Sequence, residues 1–368
     1  MRILINCSNL RQGGGIQVAD SICSLLGKYV EQKFYIVLPS VMSARGDIYK
    51  KSPNVDVVIY DMPKSFESMF FLRDRFLDTI VRDKNIEVVL TVFGPSRWNP
   101  RVPHLSGFAR AHILPLNTPY LKDLPLVNRI ANLLVKQIFN WSANKYWTEN
   151  EAISSLLKKV FPQKDVFTIS NTYNQVFDDR DKWTNHRLPD FDGVSLLTIT
   201  NAYPHKNLRI ALDIAKIFNN KYPSLKIRFV MTIEEKEFPA IPSYLRDYFL
   251  FIGKVDISEC PSLYEQVDIM FQPSLLECFT ATYAEAMRMG VPIVTTNLDF
   301  AVGLCKESAC YYSPKDPQSA ANAIYNVITD KEYAKFLIEN GKNQLHQFGN
   351  YEQRVEKIIN ILETIVKK

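Results

Sequence analysis

Short apolar strands alternate with amphipathic helices, the pattern breaks once, and then it runs again. No other feature limits the possible folds of this chain as much. "RILIN" (2–6), "FYIVLP" (34–39), "VDVVIY" (55–60), "IEVVLTVF" (86–93), "HLSGFA" (104–109) and "DVFTIS" (165–170) read as strands. Helical text lies between them, at the glycine loop after residue 12, at 67–84 and over 124–147. Runs that are apolar throughout, with helices between them, indicate parallel strands covered on both faces. Residues 175–192 are polar and lack periodic apolar positions, so they read as a linker. Strands then return at 194–200, 226–231, 250–255, 267–272 and 291–296, with a helix from about residue 207. The expected fold is α/β, with two Rossmann-like doubly wound domains facing a cleft. The first spans 1–174, the linker 175–192 and the second 193–351. From Asn350 a charged helix follows, with Ile358, Ile359, Ile361, Leu362 and Ile365 on its apolar side.

The bulk numbers fit two soluble domains. The 368 residues are 46% hydrophobic and 23% charged, with a formal charge of +5. That mild basicity suits an anionic small ligand and does not point to nucleic acid. The six cysteines form no C-x-x-C pair and read as reduced thiols in a cytoplasmic protein. The first ten residues read as a strand and not as a signal peptide. No apolar run reaches the roughly 18 residues of a membrane span.

Three segments fall at strand ends, where ligands bind in open α/β sheets. The first is Gly13-Gly14-Gly15, which lets a backbone approach a ligand just before a helix start. It does not match G-x-G-x-x-G, and a plain tight turn explains it equally well. The second is "TNAYPHKNL" (200–208), where Lys206 precedes a helix and could meet a phosphate, with Asn207 as the expected N-cap. The third is "PSLLECFTATYAEAMRMGVPIVTT" (273–296). Glu277 falls in its loop and Glu285 in a helix starting near Thr280–Thr282, with backbone N–H groups around 278–282 between them. This arrangement suits a sugar diphosphate, with carboxylates for hydroxyls and helix amides for phosphates. The plainer readings are a solvated loop charge for Glu277 and helix-dipole complementarity for Glu285.

The third segment resembles the E-x7-E signature of retaining glycosyltransferases of family 4, which have the GT-B fold. The likeness continues through the glycine loop, Lys206-Asn207, "FIGKV", "LYEQVDIM" and "SPKDPQSAANAI", in the same order along the chain. The resemblance implies that Glu285 holds the ribose of a nucleotide and Glu277 the donor sugar. The amides of Cys278, Phe279 and Thr280 line the sugar and phosphates. Lys206 pairs with the diphosphate. Gly253, Lys254 and Val255 border the base. Gly13, Gly14 and Gly15 face the donor from the first domain, which is the acceptor side. His112, in "FARAHILP", matches the family's cleft histidine in preference to His104. The final helix (about 352–368) crosses back to join the first domain. A UDP- or GDP-sugar is the implied donor and a glycan or lipid-linked molecule the acceptor, in surface polysaccharide assembly. No obligatory metal or other cofactor is implied, and "DRD" (179–181) lies in the linker rather than at a strand end.

Two departures stand out. Asn201 occupies the place of a family arginine, and Cys278-Phe279-Thr280 replaces Gly-Phe-Gly. His205, Arg209, Arg11 and Arg110 are the candidates to supplement Lys206. Residues 128–147 read either as a membrane-grazing helix or as a core helix with snorkelling basic residues, the second being preferred. Peripheral contact with the inner face of the cell membrane stays open. The rival functions are a sugar-nucleotide epimerase or phosphorylase on the same fold and a non-catalytic sugar-nucleotide-binding protein.

Overall fold

The structure is a computed structural model that describes residues 1–11, 13–63 and 72–367. The chain divides into two compact units. Unit 1 comprises Met1–Leu116, Leu124–Asn171 and Asn350–Lys368, and unit 2 comprises Asn117–Asp123 and Thr172–Gly349.

Unit 1 is built on a parallel sheet of β1 (Arg2–Asn6), β2 (Lys33–Leu38), β3 (Val55–Ile59), β4 (Val88–Thr91), β5 (His104–Gly107), β6 (Lys145–Thr148) and β7 (Asp165–Thr168). The spatial order is β3-β2-β1-β4-β5-β6-β7. Its connections include α1 (Gly14–Cys23), α2 (Ser43–Tyr49) and α3 (Arg75–Asp83). The short α4 (Pro119–Lys122) belongs to unit 2, and α5 (Leu126–Ser142) and α6 (Glu151–Val160) complete this part of unit 1.

Unit 2 repeats the plan with β8 (Val194–Thr198), β9 (Ile227–Met231), β10 (Phe249–Phe251), β11 (Ile269–Gln272), β12 (Ile293–Thr296) and β13 (Ala309–Tyr312). The order is β10-β9-β8-β11-β12-β13, again all parallel. Its helices are α7 (Ile210–Lys221), α8 (Cys260–Tyr264), α9 (Ala281–Met289), α10 (Asp299–Cys305), α11 (Pro317–Thr329) and α12 (Lys331–Phe348). Both sheets are doubly wound, with the strand order reversing between β1 and β4 and between β8 and β11.

The last helix, α13 (Tyr351–Lys367), packs into the core of unit 1 through Val355, Ile358, Ile359, Leu362 and Ile365, beside Ile3, Ile5 and Leu90. Each such aliphatic side chain contributes roughly 1.5–3 kcal/mol on full burial. The buried Arg354 adds a polar tie by donating to Asn171 Oδ1 and Ser21 Oγ.

Three elements differ from the sequence reading. Of the helix expected over 67–84, residues 67–71 lie outside the described residues. The described helix starts at Arg75, where Asp74 caps it by accepting from the Leu77 amide at 3.0 Å. The helix expected over 124–147 is two elements, α5 to Ser142 and then β6. Phe139, Ser142 and Tyr146 are all buried at helical spacing, so the periodicity runs through the break. The core-helix reading of this stretch does not hold, because Phe139 and Ser142 are the buried residues of α5. Strand β13 (ACYY), four residues long at a sheet edge, is not among the expected strands.

Candidate active site

In unit 2 the loops after β8 and β11 leave the two strands that flank the order reversal, so both emerge at one point of the sheet edge. After β8, a turn of 3-10 helix spans Pro204–Lys206. Asn207 follows with φ 52° and ψ 35°, the left-handed conformation that asparagine tolerates. It therefore does not cap α7, whose N-cap is Arg209. After β11, Gln272 Nε2 donates to Ser274 Oγ at 2.9 Å. Two hydroxyls of "VPIVTT" hold this segment from β12. Thr295 Oγ1 donates to the Gln272 carbonyl and Thr296 Oγ1 to the Ser274 carbonyl, each at 2.8 Å.

One backbone bond joins the two loops. The Leu275 amide donates to the His205 carbonyl at 2.7 Å. Next to it Lys206 Nζ donates to Glu277 Oε1 at 2.5 Å, with 17% and 11% of the two side chains exposed. A lysine and a carboxylate 71 positions apart thus form a largely enclosed ion pair. Asn201 lies half-buried in the same loop, its carbonyl accepting from the Tyr203 amide. His205 is stacked on Tyr203 and meets Tyr120 edge-on.

Glu285 sits one turn into α9 and is 3% exposed. Burial pushes its carboxyl up to about 7, against which a hydrogen bond from the Tyr264 hydroxyl at 3.2 Å acts only partly. That hydroxyl also approaches the Thr282 carbonyl at 3.2 Å. A buried carboxyl poised near neutral pH and facing a tyrosine is unlike a solvated, dipole-compensating glutamate. Helix α9 has Thr280 at its N-cap with no side-chain capping bond. The Thr280 and Thr282 hydroxyls are buried and find no hydrogen-bond partner among the described residues, as does Asn207 Nδ2. Buried polar groups left unmatched are uncommon and call for an explanation. A ligand bearing hydroxyls or phosphates would supply the missing partners.

Of the remaining sequence candidates in unit 2, Cys278 is buried and Phe279 packs edge-on against Phe348. Gly253 has φ 70°, and a Cβ there would meet Glu234 Oε1 at 2.8 Å, so the position requires glycine. Lys254 is exposed and Val255 half-buried. Sequence reasoning did not single out Tyr264 or Thr282. Tyr264 lies within "LYEQVDIM", and nothing in that string shows which way the ring points.

In unit 1, Gly13 takes φ 74° as the N-cap of α1. A Cβ on Gly14 would enter open space, whereas one on Gly15 would meet Leu10 Cδ2 at 3.3 Å. His112 sits half-buried in a 3-10 turn after β5, its pKa lowered by burial and by Arg110. His104 is the first residue of β5 and is buried against Thr91 Oγ1 at 2.9 Å and the Ser142 carbonyl at 3.1 Å. Burial lowers its pKa to about 4, the state of a satisfied core histidine. Arg11 is engaged by the Ser8, Leu10 and Met62 carbonyls and by Asp61, so it is not a spare cation.

Residues 179–344 match the family model of glycosyl transferases group 1. An uncharacterized glycosyltransferase of Methanocaldococcus jannaschii is 24% identical over 119 residues, covering 32% of this chain and 30% of that protein. The chain spans less than half the length of the curated relatives it matches. Among solved structures, a sucrose-phosphate synthase from Thermosynechococcus elongatus superposes with a TM-score of 0.73 at 15% identity, covering 99% of this chain and 98% of that one. Anabaena HepE, solved in complex with UDP and glucose, gives 0.69 at 14% identity, covering 99% of this chain and 100% of that one. The fold is thus GT-B, with two Rossmann-like units, and the sequence matches support a glycosyltransferase.

Proposed function

We propose that the chain is a retaining glycosyltransferase of family 4 that moves a sugar from a UDP- or GDP-sugar to a glycan or lipid-linked acceptor, in surface polysaccharide assembly. The observation that carries this reading is the enclosed Lys206–Glu277 ion pair at the order reversal of the second sheet, followed directly by α9 with its unmatched Thr280 and Thr282 hydroxyls and its buried Glu285. Glu285 accepts the ribose hydroxyls. Glu277 turns from Lys206 to the donor sugar, and Lys206 then serves the diphosphate. Amides at the start of α9 share that charge, since a helix N-terminus favours anions. The backbone of Gly253, Lys254 and Val255 borders the base.

In this mechanism charge builds on the departing diphosphate, and preorganised donors meet it there. The acceptor hydroxyl attacks on the face from which the diphosphate leaves, so the anomeric configuration is kept. Lys206 and the helix amides do this work without an obligatory metal. Asn201 supplies a hydrogen-bond donor but no charge, which concentrates the burden on Lys206.

A nucleotide panel tests the reading. A ligand at about 100 times its dissociation constant adds about 2.7 kcal/mol to stability. UDP or GDP should raise the melting temperature, and the matching sugar nucleotide should turn over once an acceptor is supplied. Binding without turnover across a broad acceptor panel would favour the non-catalytic rival. Turnover of the donor to an isomer without any acceptor would favour an epimerase.

A further inference from the structure

Helix α5 faces outward with the wrong chemistry for water. Leu126, Val127, Ile130, Leu133, Leu134 and Trp141 are between 51% and 75% exposed. At about 100° per residue, these six side chains fall within roughly one third of the helix circumference. Scattered exposed leucines are ordinary, but six large apolar side chains on one stripe form a contiguous patch that marks an interaction surface. The 17 residues of the helix include Arg129 and Lys136 and no carboxylate. These two cations are seven apart and lie together along one flank of the stripe.

The surroundings share this charge. Between Val88 and Thr148 the sequence has seven lysines and arginines and a single carboxylate, Asp123. Lys145 is paired with Asp165 at 2.6 Å and Lys122 belongs to unit 2, which leaves Arg97, Arg101, Arg110, Arg129 and Lys136 as the cations of this part of unit 1. The loop bearing Arg97 and Arg101 is tied to the end of the helix, where Asn99 Nδ2 donates to the Trp141 carbonyl at 3.0 Å. The turn that follows Arg110 packs on the same helix.

We propose that α5 is a docking surface for an anionic lipid membrane, lying in the interface with its leucines and Trp141 among the acyl chains and its cations at the headgroups. An apolar stripe flanked by Lys and Arg, with an aromatic ring at one end, is the composition that binds in this way. A second copy of the chain is the weaker occupant. A two-fold contact would bring Arg129 and Lys136 against their own copies with no carboxylate on the helix to pair them. No described helix is long and apolar enough to cross a bilayer, so the contact is a grazing one. The inference deepens the proposed function by placing the acceptor at a lipid surface, and in that respect rests on it.

The test is co-sedimentation of the full chain, without donor, with phosphatidylcholine vesicles and with vesicles containing about 30 mol % phosphatidylglycerol. The expected result is at least about tenfold stronger partitioning to the anionic vesicles. Leu133→Glu with Leu134→Glu should abolish it. Arg129→Glu with Lys136→Glu should reduce it, as should added salt, which screens the charges. Leu133 and Leu134 are exposed, Lys136 is half-buried and Arg129 Nε donates to the Leu124 carbonyl at 3.0 Å, so an unchanged melting temperature is needed to confirm that the variants fold. Absence of binding to either vesicle overturns the proposal. So does a concentration-dependent dimer that is lost in the leucine double variant while vesicles remain unbound. Nucleotide binding, measured separately by thermal shift, reports on the donor site, so the two readings can fail independently.

Discussion

The two sheets reverse strand order in the same way, yet the loops at their reversals have opposite chemistry. In unit 1, after β1 and β4, no enclosed ion pair is found among the described residues, and most polar groups are engaged by the backbone, although Asn9 Oδ1 is buried without a partner. Asn9 Nδ2 donates to the Phe93 carbonyl at 2.7 Å, Arg11 is held by three carbonyls and Asp61, and Gly15 packs near Leu10 and Phe93. In unit 2, after β8 and β11, an enclosed ion pair, a buried carboxyl near neutral pKa and two unmatched hydroxyls share one edge. Topology sets where a site can form, and side chains decide which copy of the topology offers the better candidate. The unit 2 reversal holds groups that would be better solvated elsewhere, an arrangement common where binding chemistry takes precedence over stability.

The largest expected effect is at Lys206. Lys206→Ala should lower turnover by about a hundredfold or more, the scale for removing one preorganised charge-stabilising donor. EDTA should leave wild-type turnover unchanged. Near-normal turnover in the variant, or activity abolished by EDTA and restored by magnesium, would show that the phosphates are held by other means and would remove the main contrast between the two reversals.

Next come the carboxylates. Glu285→Ala should weaken nucleotide binding by roughly 1.5–3 kcal/mol, the range for a hydrogen bond to a charged group. Glu277→Ala should leave nucleotide binding nearly intact while turnover falls. Calorimetric titration with UDP and GDP would separate them, and equal affinity losses in both variants would contradict the assigned division of labour.

A comparable effect concerns stability and pH. The Glu285 carboxyl is raised from 4.5 to about 7 in the folded chain, so the folded state holds its proton more tightly than the unfolded one. Its contribution is fully present below about pH 4.5, declines as pH rises through the window up to 7, and is absent above it. The loss is on the order of 3 kcal/mol. Glu285→Gln cannot ionise, so at pH 8 it should melt above wild type, and the difference should vanish near pH 4.5. A pH-independent difference would show that the burial of Glu285 is not what sets its proton affinity.

The smallest effects return to glycine. Gly14→Ala places its Cβ in open space and should change stability by less than about 0.5 kcal/mol. Gly253→Ala, at positive φ with a Cβ against Glu234, should cost about 1 kcal/mol or more. Chemical denaturation reads both. A large loss at Gly14 would mean that the unit 1 turn is more constrained than its surroundings indicate.

Much of this was legible in the chain itself. Apolar strand runs such as "RILIN" and "VSLLTIT" bury both faces of a strand, and that requirement alone implies parallel sheets covered by helices. The placement of Glu277 in a loop and Glu285 in a helix starting near Thr280–Thr282 was legible in the spacing, and α9 begins at Ala281. The run from Phe139 to Tyr146 misled because burial at helical spacing continues across the turn into β6, and local periodicity does not register a change of element. Asn207 misled because a capping preference is a local rule, and the chain there turns left-handed at the end of the Pro204–Lys206 turn and does not start α7.

By itself, the sequence determined the two-sheet plan and the residue types in the loops at the strand ends, because hydrophobic period and turn chemistry act over a few residues. Only the tertiary structure decided that Lys206 meets Glu277 across 71 positions, that Tyr264 and the surrounding core enclose Glu285, and that the leucines of α5 face outward. Each of these depends on which surfaces of distant segments meet. Desolvation and exposure are properties of that packing, and no short window of sequence contains them.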